Sequence, residues 1–483
     1  MAFPNGWQRQ CALTIQSTQV GGSLTSFPVL LTAACLPAEM LTSGGANAAQ
    51  ANGGDIRFTS DAAGANQLAC EIVNWSQNTN PANATAEIWV NVPSLSNTAN
   101  TTIYAWYAYS GGGQSQPAAN AAYGSQAVWD SNYLAVWHFG TPSTLSIADS
   151  TANGHTPSQS GSPLAATGKF GGGLNPNGGY LVGSSGSINL TGIPLSLEAW
   201  YNPNSSPAPN GNNYVFFSDG GTAATDYIFH VKVWAPTTLD FDFYGDALEP
   251  TVPNQCGVWN HVVCTLDASK NKIVYYNGAN VGSNVAGNLI LGTGAYTIGT
   301  DSWGHNQLFY GVIDELRISK TNRSAAWAST SYANQSSPST FTAVGTPQNA
   351  FPTGAVAVVA RASVAATGGE TFSGAATVTG TAALSATGLM ANNIGPASVV
   401  ATASVFASGS ETFSGTAAVA ASAAVAASGT ELFGGAAMVS ASCRMAGAGS
   451  EIFSGAAQAA AQAAAAAAGL TYPPLRFWPR AKW

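Results

Sequence analysis

Two aspartates, Asp240 and Asp242, are the residues of this chain best placed to do chemistry together. If residues 240–246 form a strand, both side chains project from one face, about 7 Å apart. Two carboxylates at such a separation can hydrolyse a glycosidic bond. The alternative is an ordinary surface strand, with Phe241 and Phe243 in the core and both carboxylates in water. We favour this second interpretation.

The rest of the sequence shows little sign of catalysis. It contains no HExxH motif, no G-x-S-x-G turn, no phosphate-binding P-loop and no dinucleotide-binding fingerprint. The five histidines are spread over one part of the chain: His138, His155, His230, His261 and His305. We therefore predict a protein without enzymatic activity.

The loop at residues 299–307 has the composition of a sugar-binding site. Trp303 lies there among glycines and polar residues, so it is not expected in the core, and Asp301 and His305 flank it. An exposed aromatic ring can stack on a sugar ring while nearby polar groups bind the hydroxyls. The alternative is that Trp303 closes one end of a β-sandwich as a lid. A second, less complete set of candidates is Tyr227 and Trp234.

Alternating apolar and polar residues predict the strands that must position these groups. Three such runs, at residues 259–264, 272–278 and 309–318, are joined by Asn-Gly and Gly turns. A period of two residues is typical of strands with one buried face. Taken in order, the three runs resemble the C-terminal half of a LamG-like (concanavalin A-type) jelly-roll domain.

The resemblance extends over residues 123–340, where further segments follow the family pattern: 134–139, 149–155, 168–174 and 195–200. It implies a two-sheet jelly roll, and such domains usually bind sugars or surfaces. Jelly-roll glycosidases carry a Glu-x-Asp-x-x-Glu run, which this sequence lacks. Residues 323–332 are expected to form a short closing helix. The predicted core consists of Trp137, Trp200, Val262, Val263, Tyr275 and Ile313, or their strand neighbours.

The same resemblance implies a structural calcium ion. LamG-like domains often hold one Ca²⁺ with carboxylates and backbone carbonyls, and the matching positions here are Asp149 and Asp314. Oxygen ligands on turns suit this ion. The alternatives are that Asp149 organises its own turn and that Asp314 fixes the last strand by a hydrogen bond.

Residues 1–115 are predicted to form a small antiparallel β-sandwich, because short strand-like runs alternate with glycine turns. This region resembles an uncharacterised domain that often precedes LamG-like domains in bacterial and phage surface proteins. That family has no agreed activity, so the resemblance implies architecture alone. Residues 116–122 form a linker. The segments that carry the resemblance are 24–30, 54–58, 70–75 and 88–93.

Residues 350–469 form an array of repeats of about 20 residues, rich in Ala, Gly, Ser and Thr. A fixed period of this length indicates stacked units. We favour short β-strands over helix, because Val, Thr and Gly disfavour helix; a disordered stalk is a third possibility. The array would form a β-rich shaft. Its recurring glycines are Gly354, Gly374, Gly395, Gly415, Gly435 and Gly455.

The final segment, residues 470–483, differs sharply from the repeats because it is aromatic, basic and rich in proline. Aromatic residues and arginine are enriched where proteins bind each other most strongly. We interpret the segment as an anchor peptide for a partner protein; the alternative is a terminal cap on the array. The candidate anchor residues are Arg476, Phe477, Trp478, Arg480 and Trp483.

Composition limits the possible partners. The formal net charge is −8, which argues against nucleic acid. We expect neither a secretory signal nor a membrane-spanning segment. The six cysteines lack a CxxC spacing and are expected to be buried, reduced thiols, with Cys256–Cys264 as the best disulfide candidate.

Recognition domains without an export signal are typical of a virion protein, made in the host cytoplasm and released by lysis. We therefore hypothesise a mainly β, non-enzymatic phage protein (a tail fibre, tail-tip or head fibre) that binds host-surface carbohydrate. It would be a homo-oligomer, a trimer, attached to other virion proteins through its tail. The alternatives are a polysaccharide-degrading depolymerase, a purely structural decoration protein of the virion, and an adhesin on the bacterial cell surface.

Overall fold

The chain is mainly β and divides into two units, Met1–Ala350 and Phe351–Trp483. The structure is a computed structural model. It describes residues 3–188, 190, 194–204, 214–220, 228–235, 237–287, 289 and 294–350, and, beyond residue 350, only the backbone of the strands given below. In these described parts, no helix has the length and apolar character needed to cross a membrane.

The first 109 residues form two antiparallel sheets packed face to face. One sheet has the order β1-β7-β3-β4 and the other the order β2-β6-β5. Alternation along each strand places apolar side chains between the sheets. The elements are β1 Trp7–Ile15, β2 Leu24–Thr32, α1 Ala38–Leu41, β3 Arg57–Thr59, β4 Gln67–Leu68, β5 Cys70–Ser76, β6 Thr85–Leu95 and β7 Thr101–Tyr109, with 3₁₀ turns at Ser17–Gln19, Ala33–Cys35 and Pro81–Asn83.

A two-sheet jelly roll follows, after a 3₁₀ turn at Ser125–Val128. A seven-stranded sheet has the order β11-β14-β23-β16-β17-β18-β19. An eight-stranded sheet has the order β12-β13-β24-β15-β20-β21-β22, with β8 also on β24. The strands are β8 Tyr133–Trp137, β9 Gly140–Thr141, β10 Thr144–Leu145, β11 Ser158–Ser160, β12 Leu164–Thr167, β13 Gly172–Asn175, β14 Tyr180–Val182, β15 Leu195–Pro203, β16 Tyr214–Asp219, β17 Phe229–Ala235, β18 Thr238–Asp242, β19 Ala247–Leu248, β20 Asn260–Leu266, β21 Asn271–Tyr276, β22 Ala279–Val285, β23 Tyr296–Ile298 and β24 Gly311–Ser319.

All six residues predicted for the core of the jelly roll are buried. They do not all lie between the two sheets. Trp137, Val262 and Ile313 belong to the cluster between the sheets, whereas Val263 and Tyr275 pack with Ala328 on the other side of the eight-stranded sheet. Cys256 and Cys264 are free thiols, so the proposed disulfide between them is wrong.

The last part of the first unit packs against the N-terminal sandwich. It consists of helix α2 (Ala325–Ser336), helix α3 (Pro338–Phe341) and strands β25 (Thr342–Val344) and β26 (Gln348–Asn349). Ser324 caps α2 by accepting a hydrogen bond from Trp327 N at 3.2 Å, so the expected helix is confirmed. Both β25 and β26 pair antiparallel with β1 and thereby complete the first sheet.

In the second unit, the described strands pair in parallel. Thr402 pairs with Ser422 and Ser422 with Ser442, so successive partners lie 20 residues apart, as in the sequence repeat. Residues 469–483, with the whole predicted anchor peptide, lie outside the described residues. The strands are β27 Val356–Val358, β28 Ala362–Thr367, β29 Ser373–Gly374, β30 Ala376–Val378, β31 Thr381–Ile394, β32 Ala397–Val399, β33 Thr402–Val419, β34 Ser422–Val439, β35 Ser442–Ser454, β36 Ala457–Ala459 and β37 Ala463–Ala468.

Candidate functional site

A row of charged and aromatic side chains lies on the outer face of the seven-stranded sheet. Along β17, Phe229, Val231 and Val233 point into the core between the sheets. The alternate residues His230, Lys232 and Trp234 must therefore project from the opposite face. This alternation is what creates a polar surface directly above an apolar core.

Two aspartates of β18 lie directly opposite two of these basic residues. The register pairs His230 with Asp242 and Lys232 with Asp240. Lys232 Nζ lies 3.0 Å from Asp240 Oδ2, and His230 Nε2 lies 3.4 Å from Asp242 Oδ2. Opposite charges at facing positions stabilise the strand pair. We refer to these four side chains as the charged strip.

The charged strip is buried, which corrects one expectation. Phe241 and Phe243 are core residues as predicted, but Asp240 and Asp242 are only 1% and 7% exposed, so their predicted position in water is wrong. Strand alternation shows on which face a side chain lies, but not what covers that face. Here the ring of Trp303 packs against His230, with 5.2 Å between the ring centroids.

The pKa values of the two aspartates are shifted in opposite directions. Burial raises the pKa of Asp240 to about 7, although the charge of Lys232 acts in the opposite direction. Burial also acts to raise the pKa of Asp242, but pairing with His230 lowers it overall. Burial lowers the pKa of His230. Asp240 Oδ1 and His230 Nδ1 are buried and make no hydrogen bond, whereas His230 Nε2 is held by Asp242.

Two tryptophans lie at the two ends of the charged strip. Trp234 is 49% exposed, and Lys232 Nζ lies 4.6 Å from its ring centroid. Trp303 is half-buried and packs edge-on against Tyr244 at 5.4 Å, besides its contact with His230. Because His230 and Trp234 are four residues apart on one strand, they are separated by about 13 Å. Tyr227, the remaining candidate, lies outside the described residues.

Asp301 holds the loop that carries Trp303. Its carboxylate is buried and accepts hydrogen bonds from the backbone N–H groups of residues 304–307, at 2.6–3.0 Å. Burial acts to raise its pKa, but these four donors lower it. His305 is exposed and stacks on Tyr180, with 4.7 Å between the rings. The structure therefore brings the three predicted loop residues together, with Asp301 in a supporting position.

Sequence reasoning missed His230 and Lys232, which connect the two tryptophans. The signal was present as a His-x-Lys-x-Trp alternation at residues 230–234, a few residues before Asp-x-Asp at 240–242. The polar row continues onto β16, where Ser218 pairs with His230 and its Oγ donates to Ser302 Oγ at 2.9 Å.

The two aspartates proposed as calcium ligands are engaged in hydrogen bonds. Asp149 accepts four, from Val136 N, Thr151 N, Thr151 Oγ1 and His155 N, at 2.8–3.0 Å. Asp314 is fully buried and accepts from Phe170 N and Glu315 N. A cation would have to displace these donors, so the arrangement fits calcium poorly. Coordination by this pair remains a prediction from the sequence.

Comparisons with protein families agree with the fold of the first unit. Residues 176–329 match the family described as the Concanavalin A-like lectin/glucanases superfamily (Laminin_G_3). Residues 52–123 match the family called Domain of unknown function (DUF2341). Both resemblances noted in the sequence are thus confirmed over these residues. A search of curated proteins finds no match.

Several solved structures are similar to part of the chain. One is domain 4 of AbnA, a GH43 extracellular arabinanase from Geobacillus stearothermophilus, solved with arabinotriose; its TM-score is 0.34 at 19% identity, covering 42% of this chain and 98% of that one. A heptameric SAP-like pentraxin from Limulus polyphemus has a TM-score of 0.24 at 17% identity, covering 28% and 68%. A putative carbohydrate binding protein from Bacteroides ovatus has a TM-score of 0.23 at 17% identity, covering 28% and 40%.

Proposed function

We propose that this chain is a non-enzymatic virion surface appendage, a phage tail fibre, tail-tip or head fibre, that binds host-surface carbohydrate through its jelly roll. The observation that carries the binding site is the placement of Trp234 and Trp303 at opposite ends of the charged strip. The aromatic rings would stack on sugar rings. The hydroxyls would bind polar groups at the surface such as the exposed His305, while the buried charged strip would hold the two tryptophans in position.

The binding test compares three variants of the full chain on a glycan array and on host cells. Trp234→Ala and Trp303→Ala are each expected to weaken binding about tenfold or more, as loss of a central aromatic contact does in other interfaces. Tyr123→Ala is the matched control, because this aromatic residue is 42% exposed and lies outside both sheets of the jelly roll. If Trp234→Ala and Trp303→Ala fold and bind glycan as well as Tyr123→Ala, the proposed binding site is wrong.

A polysaccharide-degrading depolymerase is the second candidate, and one observation favours it. The pKa of Asp240 is raised and that of Asp242 is lowered, and carboxyl groups of different acidity are what glycosidases use as acid and base. Two observations favour binding instead. Lys232 Nζ forms an ion pair with Asp240 Oδ2. The two aspartates are also almost fully buried, whereas a depolymerase needs its carboxylates in an open groove.

The virion assignment is supported by the second unit. Parallel strands whose partners lie 20 or 21 residues apart suit an elongated fibre, which we propose to be trimeric and attached through residues 470–483. Truncation after Gly469 is expected to leave a folded oligomer that no longer copurifies with particles. Normal incorporation of the truncated chain would contradict the anchor. Incorporation of the full chain without any glycan binding would favour a purely structural decoration protein.

A further inference from the structure

We propose that Glu87, His138 and Glu315 form a binding site for a divalent metal ion at the junction of the N-terminal sandwich and the jelly roll. The inference is separate from the proposed glycan site and uses none of its residues. We call these three side chains the junction triad.

The junction triad brings together residues from both domains. Glu87 lies on β6 of the N-terminal sandwich, Glu315 on β24 of the jelly roll, and His138 directly after β8. His138 Nδ1 lies 2.6 Å from Glu315 Oε1 and 3.6 Å from Glu87 Oε1. One possible ligand atom from each of the three lies within 4.8 Å of the other two. An ion placed between them needs only small side-chain movements to reach bonding distances of about 2.0–2.2 Å.

The triad contains a buried polar atom without a hydrogen-bond partner. Glu87 is 1% exposed, yet its Oε2 makes no hydrogen bond, whereas His138 Nε2 lies 3.5 Å from Glu71 Oε2. An unpaired buried polar atom is costly. Glycine at position 171 permits the close approach of Glu87, because a Cβ at this position would lie 2.5 Å from Glu87 Oε2.

The surroundings of the triad carry an excess of negative charge. The carboxylates in this region are Glu71, Glu87, Asp314 and Glu315, and the positive groups that face them are His138, Arg317 and, beyond Asp314, Lys169. Four carboxylates against three positive groups leave one negative charge uncompensated, even with His138 protonated. Arg317 is also shared with Glu198, 3.5 Å away. A buried net charge must be neutralised by protons or by a cation.

Protons are the competing solution at this site. His138 Nδ1 lies 2.6 Å from Glu315 Oε1, so one proton is held between these two ligand atoms. A metal ion would replace that proton, so its binding must release at least one proton. The two solutions can therefore be told apart by experiment.

The donor set defines the class of ion. One imidazole nitrogen with carboxylate oxygens suits Zn²⁺ or Mn²⁺ better than Ca²⁺. Groups around the triad orient its ligands, as is usual in metal sites. Arg317 Nη2 bonds Glu315 Oε2 at 2.5 Å and leaves Oε1 for the ion, while Trp89 Nε1 donates to Glu87 Oε1 at 3.4 Å. The ion would connect the two domains and stabilise the first unit by linkage.

The test measures metal content and proton release with the full chain. The purified protein is expected to contain about one Zn²⁺ or Mn²⁺ per chain by mass spectrometry of the elements, and chelation should lower its melting temperature. Adding Zn²⁺ or Mn²⁺ to the chelated protein should restore the melting temperature and release protons in a weakly buffered solution.

Two variants locate the ion. Glu87→Gln keeps the shape of the side chain and should abolish binding of the metal ion. Asp242→Asn alters the other group of possible metal ligands, His230, Asp240 and Asp242, and should hold as much Zn²⁺ or Mn²⁺ as the parent. Loss of the ion in Asp242→Asn alone would overturn the assignment. So would a parent chain that holds no ion and shows neither a melting shift nor proton release with added Zn²⁺, Mn²⁺ or Ca²⁺.

Discussion

The Asn334 side chain makes two hydrogen bonds with the backbone of Leu30. Its Oδ1 accepts from Leu30 N at 2.8 Å, and its Nδ2 donates to Leu30 O at 3.0 Å. Leu30 belongs to β2, an edge strand of the three-stranded sheet. The amide group thus takes the place of a neighbouring strand, so helix α2, which follows the jelly roll in sequence, protects a sheet edge of the N-terminal sandwich.

Replacing Asn334 should weaken the contact between the two domains. In Asn334→Ala, a buried N–H and a buried C=O lose their partners, at a cost of about 1–3 kcal/mol for each. We expect a clear decrease in the midpoint of urea unfolding, followed by tryptophan fluorescence. Ser339→Ala, at an exposed position of α3, is the control and should unfold like the parent. An unchanged midpoint in Asn334→Ala would show that the edge does not depend on this amide.

The strands of the jelly roll were predictable because alternation is a local property. Residues 259–264 and 309–318 read as strands, and β20 and β24 lie there. The docking of α2 was not predictable, because nothing near Asn334 in the sequence indicates a partner 304 residues away. For the same reason, the return of β25 and β26 to β1 could not be foreseen.

The candidate site was predictable in part. The composition of the loop around Trp303 indicated an aromatic residue outside the core, and the structure places it half-buried, against His230. The charged strip depends on the register between β17 and β18, which a single sequence does not show. The junction triad depends on the packing of two domains, so its three residues look unrelated in the sequence.

From the charged strip we predict that the protein does not hydrolyse polysaccharides. Purified full-length protein is expected to release no reducing ends from host capsule or cell-wall glycan, because Lys232 and His230 engage the two carboxylates inside a covered surface. The measurement is a reducing-sugar assay over several hours, with a glycosidase as positive control. Release of reducing ends by the parent but not by Asp242→Asn would instead establish a depolymerase.

We predict that the Asp149 carboxylate stabilises the turn at the start of the jelly roll. In Asp149→Asn, one oxygen that accepts two hydrogen bonds becomes an NH₂ donor, so we expect a loss of about 1–3 kcal/mol. If the carboxylate serves only its turn, the decrease in melting temperature should be the same with and without millimolar Ca²⁺. A calcium-induced rise in the parent that Asp149→Asn abolishes would instead support the predicted metal.

We predict that the buried carboxyl group of Asp219 makes the protein less stable as the pH rises. Asp219 is 2% exposed, its Oδ1 has no hydrogen-bond partner, and burial raises its pKa to about 8, despite a hydrogen bond from the backbone of Gly220. In the unfolded chain the pKa of an aspartate is about 3.9. Between these two values the folded state holds a proton that the unfolded state has lost. The favourable contribution of Asp219 is therefore complete below about pH 4 and is lost as the pH rises to about 8, by up to about 1.4 kcal/mol per pH unit.

Substitution isolates this contribution from those of other groups. Asp219→Asn cannot ionise, so its free energy of unfolding should exceed that of the parent by an amount that grows from pH 5 to pH 8 and is constant above that. Ser339→Ala changes an exposed residue without a titratable group and is the control; its difference from the parent should not vary with pH. The measurement is urea unfolding at one-unit pH intervals. Parallel pH profiles for Asp219→Asn and the parent would show that this carboxyl group does not change its protonation on folding.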